Sequence, residues 1–327
     1  MLSYLLKRLI YMVVLLLLLS MVAFVIITLP PGDYVTTQLA NLQGSGAQID
    51  EAFIESLRHQ YGLDRPLYVQ YFMWISNFVR GDFGRSFLYD MPVKAIIGER
   101  LALTMIISIL TLVFTYLVAI PIGIYSATHQ YSLGDYFFTV VGFVGLATPN
   151  FLLALILMFV GFKYFDFNIG GLFSLVYASA PWSWAKFVDL LQHIWVPIFV
   201  IGTAATASII CIMRATLLDE LQKQYVVTAR TKGVPEGRLL FKYPIRIAIN
   251  PIISTVGWTL PTIISGATVT AIVLGLPTTG PLLLTALLSQ DMYLAGSFVM
   301  VLSTLTVVGT FISDLLLALA DPRIRYT

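Results

Sequence analysis

Residues Leu101–Ala127 read LALTMIISILTLVFTYLVAIPIGIYSA and include no charged side chain. A helix of about 20 mostly apolar residues crosses the roughly 30 Å hydrocarbon layer of a bilayer. This stretch is therefore long enough to span a membrane, and it lacks the alternating pattern of a transmembrane β-strand. Five more such stretches occur, at about Leu9–Leu29, Phe137–Phe162, His193–Met213, Pro251–Leu274 and Leu294–Leu319. The sequence predicts six transmembrane helices.

The composition of the whole chain agrees with a membrane protein. Hydrophobic residues make up 58% of the 327 residues and charged residues 11%, against about 45–50% and about 25% in soluble globular proteins. This excludes an ordinary soluble protein and a disordered one. The single cysteine excludes an intrachain disulfide, and a net charge of +2 gives no reason to expect nucleic acid binding. The predicted class is an all-α polytopic membrane protein.

Basic residues predict the orientation of the helices. Lys7 and Arg8 precede the first span, and basic residues outnumber acidic ones in the loop 214–250. Acidic residues outnumber basic ones in the segment 30–100. Because cytoplasmic loops carry the excess of Lys and Arg, we expect both termini and the loop 214–250 in the cytoplasm and the segment 30–100 outside.

The chain is thereby divided into three parts. A first transmembrane helix covers 1–29, and its apolar run is longer than the about 7–15 residues of a signal peptide core. An extracytoplasmic cap segment covers 30–100, and a five-helix core that includes the loop 214–250 covers 101–327. Apolar residues at helical spacing predict helices in the cap segment. It is interpreted either as a cap or docking face for an external partner, or as a packed lid without a ligand.

The loop 214–250 mixes charged residues with leucines, which predicts a short helix, a break at Gly233-Val234-Pro235 and a second helix from Glu236. Two short helices joined in this way form a rigid unit that could transmit force to the spans on either side. The alternative is a basic loop that only follows the charge rule.

The order of residues in this loop resembles a known signature. Tyr225–Gly233, YVVTARTKG, looks like the cytoplasmic-loop motif of ABC importer permeases, in the form found in the dipeptide/oligopeptide/nickel subgroup. Other segments resemble that subgroup in the same order: Met1–Leu9 (MLSYLLKRL), Tyr61–Pro66 (YGLDRP), Gly81–Ser86 (GDFGRS) and Asp321–Arg325 (DPRIR). The resemblance covers essentially the whole chain.

The resemblance implies a permease subunit of a binding-protein-dependent importer in the plasma (inner) membrane of a bacterium or archaeon. In that family two related permease subunits form one pathway, two separate ATPase subunits bind ATP and Mg, and an extracytoplasmic binding protein delivers the substrate. The coupling helix would cover about Asp219–Lys232. The residues implied to couple to the ATPase subunits are Asp219, Tyr225, Thr228, Ala229, Arg230, Lys232 and Gly233. We expect no cofactor in this chain.

The sequence departs from the broader importer motif, because Val227-Thr228-Ala229 replaces its Glu-Ala-Ala triplet. Gly275–Gly280, GLPTTG, differs from the Leu-Pro-Gly-Leu-Gly more usual in peptide permeases, and the segment 164–192 is rich in aromatic residues. Peptides, oligosaccharides and metal chelates all stay open as substrates.

Prolines and small polar residues within the spans predict where the pathway lies. Pro121, Pro149 and Pro261 are expected to kink their helices, and a kink frees carbonyl groups that can face a cavity. The candidate lining residues are Thr148, Asn150, Thr259, Thr262, Ser265 and Thr268. The alternative role of these residues is hydrogen bonding and close packing between helices.

Several functional classes lack support in the sequence. No Gly-x-x-x-x-Gly-Lys-Ser/Thr motif is present for ATP binding, so we expect no ATPase activity in this chain, and no His-Glu-x-x-His motif or other metal site is predicted. An ion-coupled secondary transporter or channel subunit is the alternative function. Such carriers usually hold ionisable groups at mid-membrane, and here only Asp314 lies within a span, near its end.

Overall fold

The computed structural model of the protein describes residues 2–28, 59, 64–165, 169–178 and 180–320. These residues are almost entirely helical and contain no strand beyond an isolated bridge between Arg85 and Pro92. The helices are α1 (Leu2–Thr28), α2 (Leu67–Val79), α3 (Val93–Thr128), α4 (Leu133–Ala147), α5 (Asn150–Phe165), α6 (Leu175–Ala178), α7 (Trp184–Leu221), α8 (Gln224–Thr231), α9 (Glu236–Lys242), α10 (Pro244–Ala248), α11 (Asn250–Gly266), α12 (Thr268–Val273), α13 (Thr279–Leu288) and α14 (Met292–Ala320).

Within the described residues, α1, α3, α7 and α14 are each long and apolar enough to cross a membrane. The pair α4 and α5 gives a fifth candidate crossing, although it is bent by 103°. A helical protein with several membrane crossings is therefore confirmed. Residues 30–58 and 60–63 of the predicted cap segment lie outside the described residues.

The third predicted span, Phe137–Phe162, is not one continuous helix. It is broken between α4 and α5 because Pro149 disfavours the helical conformation for the residue before it. Thr148 accordingly has an extended backbone, with φ −86° and ψ 119°. In contrast, α3 continues through Pro121 and α7 continues through Pro197.

The fifth predicted span, Pro251–Leu274, corresponds to the two helices α11 and α12, with Ala267 between them. At 17 residues, α11 is shorter than the about 20 residues that a crossing requires. The total of six crossings therefore stays a prediction. The fourth span, predicted over His193–Met213, lies within a much longer helix, α7, of 38 residues.

The chain forms two compact units. The central unit contains Thr104–Pro277 and the chain from Val308 onward, and the N-terminal unit contains Leu2–Leu103 and Thr278–Val307. In the central unit, glycines allow helices to approach closely. A Cβ atom at Gly123 would lie 2.6 Å from the Cβ of Met213, and one at Gly202 would lie 2.9 Å from the ring of Phe114.

In the N-terminal unit, Asp291 holds the loop before α3 against the start of α14. Its side chain is fully buried. The carboxylate accepts hydrogen bonds from Ser86 Oγ at 2.5 Å, Leu88 N at 3.0 Å and Leu294 N at 3.0 Å. The bond to Leu294 caps α14 at its N-terminus. The Gly81–Ser86 motif therefore supplies a structural contact, through Ser86.

We predict that Asp291→Ala destabilises the protein. The substitution leaves buried donors on Ser86 and Leu294 without this acceptor, and each such group costs about 1–3 kcal/mol. The partly buried amide of Leu88 also loses its acceptor. The thermal unfolding midpoint of the purified protein measures the effect. Glu99→Ala is the control, because Glu99 is exposed on α3. Equal midpoints for the two variants would contradict this role of Asp291.

Candidate coupling segment and helix-lined cavity

The coupling segment, Lys223–Tyr243, is a compact pair of short helices. α8 ends in a turn that needs a glycine, because Gly233 has a φ of +75°, in the left-handed region that other residues rarely adopt. Gly233 N donates to Arg230 O at 3.0 Å and Val234 N donates to Ala229 O at 3.3 Å. This is the Schellman pattern of helix termination. Pro235 then precedes α9.

Small and apolar side chains hold α8 and α9 together. Val226 and Leu239 are fully buried and Ala229 is 8% exposed, and Val234 and Tyr243 pack against these three residues. Because Ala229 lies in the contact between the two helices, a larger side chain there would push them apart.

Arg230 and Glu236 of the segment form an ion pair with each other. Arg230 Nε lies 2.5 Å from Glu236 Oε1, and Arg230 Nη2 lies 3.2 Å from Glu236 Oε2. This hydrogen bond lowers the pKa of the Glu236 carboxyl. Tyr225 donates to the carboxylate of Glu220. Burial is the main cause that raises the pKa of Tyr225, and this hydrogen bond raises it further. The family resemblance implied that Arg230 couples to an ATPase subunit, whereas here the guanidinium contacts the carboxylate of Glu236 in the same chain.

The other expected coupling residues lie on the surface of this region. Asp219 is exposed on α7, and Lys232 is exposed at the end of α8. Thr228 is also exposed, with its hydroxyl donating to Gln224 O at 2.8 Å. Two apolar side chains that the signature did not indicate are exposed nearby, Val227 at 43% and Phe241 at 71%.

A cavity of about 300 Å³ lies in the central unit between α5, α7 and α11. Among the residues that the structure describes, no charged side chain lines it, and the polar side-chain groups are hydroxyls and one amide. The lining residues are Asn150, Ile201, Ala204, Ala205, Ser208, Ile209, Ile212, Thr255, Thr259, Thr262 and Ile263.

The structure brings three of the six candidate lining residues together at this cavity: Asn150, Thr259 and Thr262. Thr148 instead donates to Val144 O at 2.7 Å, and neither it nor Thr268, the first residue of α12, is among the lining residues. The side chains of Ser265 and Pro261 lie outside the described part of the chain.

The list of candidate lining residues named none from α7, although this helix contributes to the cavity. Ala204, Ala205 and Ser208 line it from this helix. The signal was present in the sequence, because small and polar residues are concentrated in this part of an otherwise apolar span.

Among the described residues, no three His, Cys, Asp or Glu side chains are grouped closely enough to hold a metal ion.

Comparisons with known proteins agree along the whole chain. Residues 119–326 match the family model of the binding-protein-dependent transport system inner membrane component, and residues 1–108 match the model of the N-terminal part of such membrane components. The oligopeptide transport system permease protein AppB of Bacillus subtilis is 34% identical over 326 residues, which are 99% of each chain. The oligopeptide transport system permease protein OppB of Haemophilus influenzae is 29% identical over 327 residues, which are 100% of each chain. A putative peptide permease protein of Brucella ovis is 31% identical over 333 residues, again with 100% of each chain covered.

We predict that the coupling segment loosens at acidic pH. Because Arg230 lowers the pKa of Glu236 in the folded protein, the ion pair stabilises the segment above the ordinary pKa of a glutamate, about 4.3. That stabilisation is lost as the pH falls through the lower, folded pKa. Hydrogen exchange of amides in α8 and α9, corrected for intrinsic rates, should therefore increase on acidification.

The variant Glu236→Gln should show the faster exchange already at neutral pH and should lose this pH dependence. Asp219→Asn, at an exposed carboxylate on α7, is the control and should behave like the unmodified protein. A pH dependence that persists in Glu236→Gln would assign it to another group.

Proposed function

Because the chain belongs to the family of binding-protein-dependent transport system inner membrane components, we propose that it forms half of the translocation pathway of an ABC importer for peptides. The other half is a second, related permease subunit. Two ATPase subunits carry ATP and Mg, and an extracytoplasmic binding protein delivers the substrate. The observation that carries this proposal is the coupling segment, in which α8 ends in a turn at Gly233. It occurs in a chain that matches the family along its length.

The proposed topology has six crossings. In addition to α1, α3, α7 and α14, the broken pairs α4–α5 and α11–α12 each make one crossing. Both termini and the coupling segment then lie in the cytoplasm, in agreement with the distribution of basic residues.

Two observations favour a peptide as the substrate. The curated relatives AppB and OppB are named as oligopeptide permeases. The cavity offers hydroxyl groups and the amide of Asn150 but no charge, which suits the peptide backbone of substrates whose side chains differ.

The aromatic residues of the segment 164–192 left an oligosaccharide open as the substrate. Two of them contact a lysine of the same chain. The buried Lys186 ammonium lies 4.8 Å from the centre of the Phe173 ring and 5.4 Å from the centre of the Trp182 ring. These rings form a cation–π contact with the chain's own lysine, which makes them less suited to stacking on a sugar.

In the proposed cycle, ATP binding draws the two ATPase subunits together and moves the coupling segments with them. α8 is separated from α7 only by Gln222 and Lys223, so this displacement reaches α7, which lines the cavity. Exposed Val227 and Phe241 supply apolar contacts to the ATPase subunit, since apolar and aromatic side chains contribute much of the energy of protein interfaces.

Purification of the tagged protein in a mild detergent, followed by mass spectrometry, tests the assembly. We expect a second permease subunit and ATPase subunits to co-purify. A stable homo-oligomer without an ATPase would reject the proposal and favour a channel or secondary transporter.

A matched pair of glycine variants tests the coupling segment. A Cβ atom would meet no atom within 4 Å at either Gly233 or Gly237, but only Gly233 has a positive φ. Gly233→Ala should therefore cost about 1–2 kcal/mol through the backbone alone and reduce the amount of co-purified ATPase. Gly237→Ala, within α9, should not reduce it. Equal recovery of the ATPase with both variants would contradict the role of the turn.

A second variant tests the cavity. Ala205→Phe places an aromatic ring among the lining residues, so we expect it to abolish peptide uptake while the complex still assembles. Leu191→Phe, at an exposed position on the same helix, is the control. Normal uptake by Ala205→Phe in reconstituted vesicles would show that the substrate takes another path.

A further inference from the structure

An ion pair inside the central unit joins α4 to α7. Arg214 Nε lies 3.0 Å from Asp135 Oδ1, and Arg214 Nη2 lies 2.9 Å from Asp135 Oδ2. This two-bond arrangement fixes both the distance and the orientation of the partners. Asp135 is 2% exposed, and its carboxylate also accepts from Tyr131 N at 3.0 Å. We call the pair the Asp135–Arg214 clasp.

Small side chains also bring α4 and α7 together. A Cβ atom at Gly145 would lie 2.7 Å from the methyl group of Thr203, and one at Gly142 would lie 3.8 Å from the Cβ of Ala207. Small side chains let the helices approach closely, but they offer little resistance to sliding along the helix axis. Sliding of packed helices past one another is a common movement. The clasp is the directional contact that opposes it.

The C-terminal part of α7 packs against α10, the helix that follows the coupling segment. Met213 and Leu217 share a buried cluster with Ile245 and Ala248. Thr216 Oγ1 lies 2.9 Å from Ile212 O of its own helix and 3.2 Å from Ala248 O. The coupling segment is therefore fastened to α7 on both sides, directly at Leu221 and through α10. A displacement of the segment must move the part of α7 that carries Arg214.

At the other end of α4, the chain reaches the cavity. Thr148 and Pro149 form the 103° break, and Asn150, the first residue of α5, lines the cavity. A movement of α4 along its axis therefore shifts Asn150 relative to the residues on α11.

We propose that the Asp135–Arg214 clasp locks the axial register of α4 on α7, so that a displacement of the coupling segment is delivered to Asn150 and the cavity. Asp135 and Arg214 are positioning residues in this proposal and do not contact the substrate. The proposal rests on the proposed function, because it assigns the path by which the coupling segment acts on the cavity.

Arg214→Lys tests the clasp with little change of charge. Lysine keeps the positive charge but cannot make the two-bond contact of a guanidinium. The assembled complex is placed in vesicles with its binding protein and labelled trialanine, and both peptide uptake and ATP hydrolysis are measured. We expect uptake per ATP to fall by about tenfold, within the usual range of coupling factors, at unaltered recovery of the ATPase subunits. Arg80→Lys, at an exposed arginine, is the control and should keep the uptake per ATP of the unmodified complex.

Cys211 provides a second measurement that needs no substitution. It is the single cysteine of the chain, it is exposed, and it lines a cavity of about 340 Å³ together with Asp135 and Arg214. If the clasp locks the register, the rate of maleimide labelling of Cys211 should be the same with and without a non-hydrolysable ATP analogue. In Arg214→Lys, the rate should depend on the nucleotide.

The outcomes separate the two proposals. If the unmodified complex contains no ATPase or takes up no peptide, the proposed function fails. If it transports and Arg214→Lys transports equally well per ATP, only the clasp is rejected. If Arg214→Lys does not assemble, labelling of Cys211 in the unmodified complex decides: a constant rate supports the clasp, and a rate that changes with nucleotide overturns it.

Discussion

The need to pair every backbone polar group inside a bilayer constrains this structure more than any single contact. Continuous helices meet that need without help, and α1, α3, α7 and α14 are of this kind. A helix break leaves some of these groups unpaired, because it frees amide and carbonyl groups. The break before Asn150 lies next to the cavity, and the helix α11, which lines the cavity through Thr259 and Thr262, ends shortly before a second break at Ala267. The break before Asn150 thus lies where non-helical backbone is tolerated, beside a cavity.

The same constraint explains why the cavity is polar without being charged. A charged side chain deep in a membrane is costly unless it is paired, whereas a hydroxyl can bond to a carbonyl of its own helix. Thr259 does this, donating to Thr255 O at 2.7 Å, and Thr255 donates to Ile252 O at 2.7 Å. Such hydroxyls are satisfied when the cavity is empty and still offer an acceptor to a passing substrate. Weak, uncharged binding of this kind suits a pathway from which the substrate must leave.

The sequence was sufficient for the helical class, most of the crossings and the family signature, because these depend on local apolar length and on residue order. It was not sufficient for the effect of each proline. Pro121 lies in a continuous helix, whereas Pro149 marks a bend of 103°, and both residues lack the same amide hydrogen. The missing amide hydrogen alone therefore does not determine whether a helix ends at a proline. The partner of Arg230 was missed for a related reason, because Glu236 reaches it only through the reversal of the chain at Gly233.

The Arg230–Glu236 pair and the Asp135–Arg214 pair differ in a way that follows from their surroundings. Arg230 and Glu236 are both at least half exposed, and exposed ion pairs contribute little to stability because water and salt screen them. Arg230 can therefore exchange Glu236 for a carboxylate of another protein at small cost, so the pair does not contradict a docking role. Asp135 is buried, and removal of one partner from a buried pair leaves an uncompensated charge. The first pair is suited to a surface that changes partners, and the second to a contact that must persist while the helices around it move.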